Sequence, residues 1–395
     1  MTVRQGTAML TRIASFFAVG LLASAAQGAT PPSYLSLEIR APAGATSGIS
    51  ASSLNRFGDV VVTGTVSGYT TGLVYYHRNG TEVPLTGPAA PNSVGANGIN
   101  DLGQVVGLWE GPSIGVEAVE WSKNGGVSVL PTDTFAIAIA VNNQGSIVGN
   151  VEGFHVNNLA ALWTGSSHTM TELGFLWVDP ILPDYASSSA NAINGEGHIA
   201  GTSDAGQGTT VDSAQPFGQH AFLYRNGKML DLGALAPNAP DNDSEGWGLN
   251  NLDEVVGLSS TTIPARNSLN QPCSDCGVAS HAFLWRAGKM TDLRNLASIP
   301  GWDSKADAIN DTGEIVGWSD SLVNGASTHR AFLYVGGQML NLQFYVFDRD
   351  PDVRLTEAVG INCEGWIAAN GFNVKTPNVS RAYLLIPRGK PRPCT

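Results

Sequence analysis

Apolar and polar residues alternate along this chain in short runs, and the runs recur. Between Lys305 and Leu342 four of them follow one another: Ala306 to Asn310, Glu314 to Trp318, Ala331 to Val335 and Gln338 to Leu342. Each has the length and the two-residue period of a strand rather than a helix. Asn310-Asp311-Thr312-Gly313 separates the first two and Gly336-Gly337 the last two, both signals for tight hairpins. A long polar segment joins the second run to the third. The pattern predicts a four-stranded antiparallel unit with one loose internal connection.

The asparagine that opens the first turn returns as Asn55, Asn100, Asn142, Asn194, Asn250, Asn310 and Asn362, at spacings of 45, 42, 52, 56, 60 and 52 residues. A period of this length built from four strands predicts an all-β protein, a β-propeller of seven four-stranded blades, with six blades or an open solenoid as alternatives. Asparagine caps its own turn, and glycine three residues later (Asp253 in the fifth unit) supplies a positive φ. A ring of asparagines as metal ligands is the sharper reading, but turn formation accounts for the residue type more simply. The seventh unit lacks a fourth strand, and the alternating run Tyr34 to Ile39 is the candidate to supply it and close the ring, since an unpaired edge is a liability. Two positions before each asparagine stands a small residue, Ser53, Gly98, Ala140, Ala192, Gly248, Ala308 or Gly360, which suits a strand beside a crowded axis.

Residues 1–28 carry Arg4 and Arg12, an apolar run from Ile13 to Ala26, and Ala26-Gln27-Gly28, the pattern of a secretory signal peptide. Its run is too short for a comfortable membrane span, and nothing later approaches that length. Residues 29–395 read as one domain without a convincing amphipathic helix. Removal of the leader moves the formal charge from -12 to -14, which argues against a nucleic-acid partner. The expected location is periplasmic or extracellular.

His220-Ala221-Phe222 recurs as His281-Ala282-Phe283 and, more loosely, as His329-Arg330-Ala331-Phe332, each followed by Leu-Tyr or Leu-Trp and by Gly-x-Met-x-x-Leu. With the Ile-Asn-x-x-Gly-x-Ile/Val-Val/Ala-Gly run ahead of it, the chain resembles the bacterial extracellular HAF-repeat family over essentially its whole mature length. The resemblance implies secretion and a β-repeat architecture, and no established activity.

Candidate chemistry is sparse. The three recurrent histidines lie away from the axis, too far apart for a shared metal, and are expected to make structural hydrogen bonds. Four cysteines in an exported protein point to disulfides. Of three possible pairings, Cys273–Cys276 with Cys363–Cys394 uses local proximity and ties down the tail. A redox centre at Cys273-Ser274-Asp275-Cys276 lacks the βαβ surroundings it would need, and a zinc site lacks a second CxxC. No nucleophile elbow, phosphate loop or His-Glu-x-x-His is present. Asp241-Asn242-Asp243 and the acids Asp348, Asp350 and Asp352 resemble calcium loops only in part. No cofactor is therefore expected, with calcium at these acids as the alternative to a solvated acidic loop.

In an antiparallel four-stranded unit the two tight turns share one end, so the long connections share the other. The fourth-to-first connections are read as carrying Trp177, Tyr185, Asp241, Asp243, Trp247, Trp302, Asp303, Tyr345 and Asp348. Aromatic planes beside carboxylates suit sugar rings. The expectation is a monomeric, non-enzymatic binder of an extracellular glycan or protein through this face, and the alternative is a carbohydrate-active hydrolase or lyase using two of these carboxylates.

Overall fold

The computed structural model describes residues 32–389 and Cys394, apart from 43–44, 67, 90–92, 112–114, 153–157, 179–185, 207–217, 240–241, 268–270, 272, 274–275, 298, 324–325 and 349. The expected leader lies outside the described residues. A lone strand, β1 (Tyr34–Ile39), precedes the repeats. Repeat one is β2 (Ala45–Leu54), β3 (Val60–Val66), β4 (Tyr69–Tyr76) and β5 (Thr81–Pro84). Repeat two is β6 (Ser93–Ile99), β7 (Val105–Gly111), β8 (Gly115–Trp121) and β9 (Val127–Val129). Repeat three is β10 (Ala136–Val141), β11 (Ile147–Val151), β12 (Leu159–Thr164) and β13 (Thr169–Glu172). Repeat four is β14 (Ser188–Ile193), β15 (Ile199–Asp204), β16 (Gln219–Arg225) and β17 (Lys228–Asp231). Repeat five is β18 (Ser244–Leu249), β19 (Val255–Pro264), β20 (Val278–Arg286) and β21 (Lys289–Arg294). Repeat six is β22 (Ser304–Ile309), β23 (Ile315–Val323), β24 (Ala326–Val335) and β25 (Gln338–Asn341), followed by a 3-10 turn, Leu342–Tyr345. Repeat seven is β26 (Val353–Ile361), β27 (Ile367–Asn373) and β28 (Thr376–Pro387).

Repeats two to six each form a separate four-stranded sheet whose strands pair in chain order. Repeats one and seven share an eight-stranded sheet, its two halves meeting at one parallel bridge between Gly48 and Ser380. Gly48 has φ +81°, and a Cβ there would stand 2.0 Å from the Ser380 carbonyl oxygen, so only glycine fits. β1 lies antiparallel on β28 from Tyr34 opposite Pro387 to Ile39 opposite Ala382, and supplies the fourth strand that repeat seven lacks. Tyr34 and Ile39 are 1% and 2% exposed, so the strand is anchored by burial as well as by its backbone.

The core lies between successive sheets. Val61 and Val74 of repeat one meet Val94, Ala96 and Val105 of repeat two. Val256 and Ala282 of repeat five meet Ala306, Ile315 and Phe332 of repeat six. Val60, Val62 and Leu73 of repeat one also meet Ala368, Ala382 and Leu384 of repeat seven, together with Ile39. Both faces of a repeat's strands are therefore buried, which is why they read as Val/Ile/Ala runs rather than strict alternations.

The recurrent asparagines do more than cap turns. Each Oδ1 accepts the backbone N–H groups two and four residues on, as Asn55 does from Phe57 and Asp59 at 3.0 Å. Each Nδ2 then donates to the backbone oxygen of the next repeat's asparagine: Asn55 to Asn100, Asn100 to Asn142, Asn142 to Asn194 and Asn194 to Asn250. The ladder continues from Asn250 to Asn310 and from Asn310 to Asn362, and returns from Asn362 to Asn55 at 3.2 Å. All seven side chains are buried. Alanine at any of them would leave buried polar groups on two repeats unpaired. Asp253, which replaces the turn glycine of repeat five at φ +59°, is held by Asn194, His198 and Arg225.

Every first strand carries an extra residue against its second strand near the asparagine turn, and those of repeats one and seven carry a further shift upstream. The register shifts across Ser52, Asn97, Ile139, Asn191, Trp247, Asp307 and Val359. Such a bulge re-aims a side chain. The small residue that follows is explained by its neighbour: a Cβ on Gly98 would stand 2.8 Å from the Ile139 oxygen, and one on Gly248 3.0 Å from the Asp307 oxygen.

Both expected disulfides are present, Cys273–Cys276 and Cys363–Cys394. The second joins the residue after the last ladder asparagine to the C-terminal tail. No helix among the described residues is long and apolar enough to cross a membrane.

Candidate functional site

The bulged first strands of all seven repeats surround one cavity of about 710 Å³. Its wall is uneven. Repeats one to four contribute Ser52, Asn97, Ile137, Ile139 and Asn191, which are neutral, whereas repeats five to seven contribute Trp247, Lys305, Asp307 and Glu357. The strands enter this cavity from their long-connection ends, so Lys305 and Glu357, five residues ahead of their asparagines, stand nearer that mouth than the ladder does.

The charged quarter is tightly interlocked. Trp247 Nε1 donates to Glu245 Oε2 at 2.9 Å, and the Lys305 ammonium lies 3.5 Å from the centre of the indole ring while pairing with Asp307 Oδ1 at 2.8 Å. Trp247 is 37% exposed, so an aromatic surface fixed at its edge and its face is still open to a ligand. The Asp307 side chain is 10% exposed and its Oδ2 is buried without a hydrogen-bond partner. Burial pushes the Asp307 carboxyl up to about 7; Lys305 opposes the rise and the Glu357 carboxylate adds to it.

The residues expected to form a binding face on the long connections are placed differently from one another. Trp247 is not in a connection at all but on β18, at the bulge, where the period-two reading could not put it. Trp302 is 2% exposed, with its carbonyl oxygen accepting from Asn295, so its ring packs inward. Trp177 is half-buried and lies where a Cβ on Gly206 would be, 2.4 Å away. Tyr345 is half-buried in the 3-10 turn against the core between repeats six and seven. The described acids hold chain together: Asp243 accepts the Gln219 N–H, Asp303 the Ser280 N–H and Asp348 the Ser36 N–H, each at 2.9 Å. Burial chiefly, with Asp320 adding, raises the Asp303 carboxyl. Tyr185 and Asp241 lie outside the described residues.

His220 and His281 make structural hydrogen bonds chiefly within their own sheet, and His281 Nε2 also faces Asn295 Nδ2 of the loop after β21 at 3.5 Å. His220 Nδ1 meets Asp231 at 2.8 Å and His281 Nδ1 meets Asp292 at 3.0 Å, each acid on the adjacent fourth strand. Burial would raise both carboxyls, but the imidazoles and the Gly233 and Arg294 N–H groups hold them below the ordinary range. In repeat six the equivalent position is Arg330, and His329 instead stacks on Trp318 at 4.1 Å.

No family model matches the chain, and no curated protein matches it in sequence. Solved structures do resemble it. The β-propeller domain of the Trilobed protease from Pyrococcus furiosus, described as having an open velcro topology, gives a TM-score of 0.53 at 8% identity, covering 88% of this chain and 100% of that one. One of two prolyl endopeptidases gives 0.53 at 11% identity, over 88% of this chain and 51% of that one. An acylaminoacyl peptidase gives 0.51 at 9% identity, over 87% and 52%. The chain spans about half the length of these two peptidases. At such identities the likeness shows the fold alone: this chain is an all-β protein with the β-propeller fold.

Proposed function

We propose that the chain is an exported, non-enzymatic propeller of seven four-stranded blades that binds an extracellular glycan at the long-connection mouth of its central cavity, with Trp247 as the platform. Support for the blade count comes from the seven asparagines whose ladder returns to its start and from the single bridge dividing the eight-stranded sheet into two four-stranded halves. Two disulfides support an oxidising periplasmic or extracellular location, and the repeated His-Ala-Phe motif supports membership of the HAF-repeat family. The ligand reading rests on one observation: the cavity is neutral on one side and carries a pre-positioned, partly exposed indole among carboxylates on the other. Sugar rings present apolar faces to such a ring and hydroxyl donors to such acids.

The raised Asp307 carboxyl beside Glu357 favours a second reading, a hydrolase or lyase with Asp307 as acid and Glu357 as base or nucleophile. Against it, Asp307 Oδ1 is engaged by Lys305 and Oδ2 is out of reach of solvent. A polysaccharide panel read for both retention and released reducing ends separates the two. Retention lost in Trp247→Ala with no product from the wild type supports the binder. Product that disappears in Glu357→Gln establishes the enzyme. Neither retention nor product on any glycan discards the carbohydrate reading and leaves a protein ligand.

A further inference from the structure

A second pocket, of about 180 Å³, lies beneath the N-terminal strand, away from the central cavity. Its rim carries Glu38 from β1 and Asp348 and Asp350 from the connection into repeat seven; its wall includes Val353 and Leu355; the phenol of Tyr383 on β28 faces into it. Among the described residues that line it there is no lysine or arginine. Tyr383 is 3% exposed, and its hydroxyl, buried with carboxylates around it, has no hydrogen-bond partner. Orphaned buried hydroxyls are uncommon and mark a missing partner. The acids are anchored from outside the pocket: Ser36 N–H donates to Asp348 Oδ1, the Asp352 N–H to Asp350 Oδ1 at 2.8 Å, and Arg381 to Glu38 Oε1 at 2.5 Å. The last of these partners satisfies one oxygen of Glu38, and among the described residues the donors to the two carboxylates of the connection are backbone N–H groups and the Ser36 hydroxyl.

We propose that this pocket binds the primary ammonium group of a small alkylamine, with the Tyr383 hydroxyl oxygen and the carboxylates of Asp348 and Asp350 as acceptors and Val353 and Leu355 against the alkyl chain. An ammonium brings three N–H donors, which matches one phenol oxygen and two carboxylates. Burial first, then Glu38 and Asp350, push the phenol up against the opposing Arg381 cation, so it stays neutral at ordinary pH and offers a lone pair. A bare metal ion suits the pocket less well, because among the described residues no three acidic, histidine or cysteine side chains stand close enough to share one. Ser36 and Glu38 of the lining belong to β1, so a bound amine also holds the N-terminal strand in place and stabilises the fold by mass action.

The test is calorimetric titration of the intact protein with n-butylammonium at low ionic strength, with n-butanol as the uncharged analogue and calcium chloride as the metal control. The expected result is one saturable site for n-butylammonium and none for n-butanol, weakened tenfold or more by Tyr383→Phe and by Asp348→Asn. Asparagine at 348 retains the acceptor for Ser36, and phenylalanine at 383 retains the ring, so neither variant need unfold; equal melting temperatures verify this. Trp247→Ala leaves the affinity unchanged, which separates this site from the cavity. No saturable binding to the wild type, binding indifferent to Tyr383→Phe, equal binding of n-butanol, or calcium binding in place of the amine each overturns the proposal.

Discussion

Replacing Asp307 by asparagine should stabilise the protein, by an amount that grows as pH rises from about 4 to 7 and is full above neutral pH. Asn97 and Asn191 occupy the same bulge position in repeats two and four, and each Nδ2 donates at 2.8 Å to the backbone oxygen of the residue just before the bulge in the next repeat, Ala138 and Gly246. The residue in that register ahead of Asp307 is Ala358. An ionised carboxylate has no proton to give, whereas a protonated one imitates asparagine, accepting from Lys305 with one oxygen and donating with the other. The unpartnered Oδ2 and the carboxyl's rise from 3.8 to about 7 both fit that state. The groups that set its titration are Lys305 on its own strand and Glu357 on β26. The sign follows from proton binding. Between about pH 4 and 7 the folded chain holds this proton and the unfolded chain has lost it, so stability is full below that window and falls as pH rises through it. Three pH units at ~1.4 kcal/mol each amount to about 4 kcal/mol. With ~2.1 cal/mol/K of unfolding entropy per residue over roughly 360 residues, this corresponds to about 5 °C. Scanning calorimetry of wild type and Asp307→Asn should therefore give coincident melting at pH 4 and a variant about 5 °C more stable at pH 8. Other titrating groups are common to both proteins and cancel in the difference. A gap that does not change with pH, or a variant that melts below the wild type at pH 8, would refute the argument.

Asn142→Ala removes the donor to Asn194 and the acceptor for Gln144 and Ser146, stranding one buried and two part-buried groups at up to ~1–3 kcal/mol each; denaturant unfolding should show a loss of about 2 to 5 kcal/mol, and a loss under ~1 kcal/mol would mean that the ladder is decorative. Deletion of residues 29–42 uncovers the β28 edge and forfeits the burial of Tyr34 and Ile39, so at least ~5 kcal/mol should go, and an unchanged melting temperature would reject β1 as a closing strand. Cys394→Ser opens the 31-residue link from Cys363, for which chain entropy gives about 3 to 4 kcal/mol. Opening Cys273–Cys276, separated by 3 residues, should cost under ~2 kcal/mol in the same melt, and equal effects would contradict the loop-length argument.

What was legible in the sequence is what neighbours along the chain decide. Asparagine followed by glycine three residues later, flanked by apolar runs, is a turn between strands whatever surrounds it, because the side chain satisfies N–H groups only two and four residues away. Repetition of that unit announced a β-repeat fold, the run Tyr34 to Ile39 announced a spare strand, and the two cysteine pairs followed from short separations and an exported chain. Tertiary structure decided everything that crosses between repeats. The far end of each asparagine amide finds its acceptor 42 to 60 residues on, and in the last case 307 residues back, a partner that no local pattern can specify. The one-residue bulge is equally silent in the sequence, yet it takes Trp247 and Asp307 out of strict alternation and aims them at the cavity. The long-connection acids have a part that their residue type does not announce: the packing shows that one oxygen each of Asp243, Asp303 and Asp348 holds a backbone N–H group. Local hydrogen bonds set the elements because their entropy of closure is small. The cavity and its uneven charge exist only once first strands from the whole chain have been brought face to face, since a single repeat has no opposite wall.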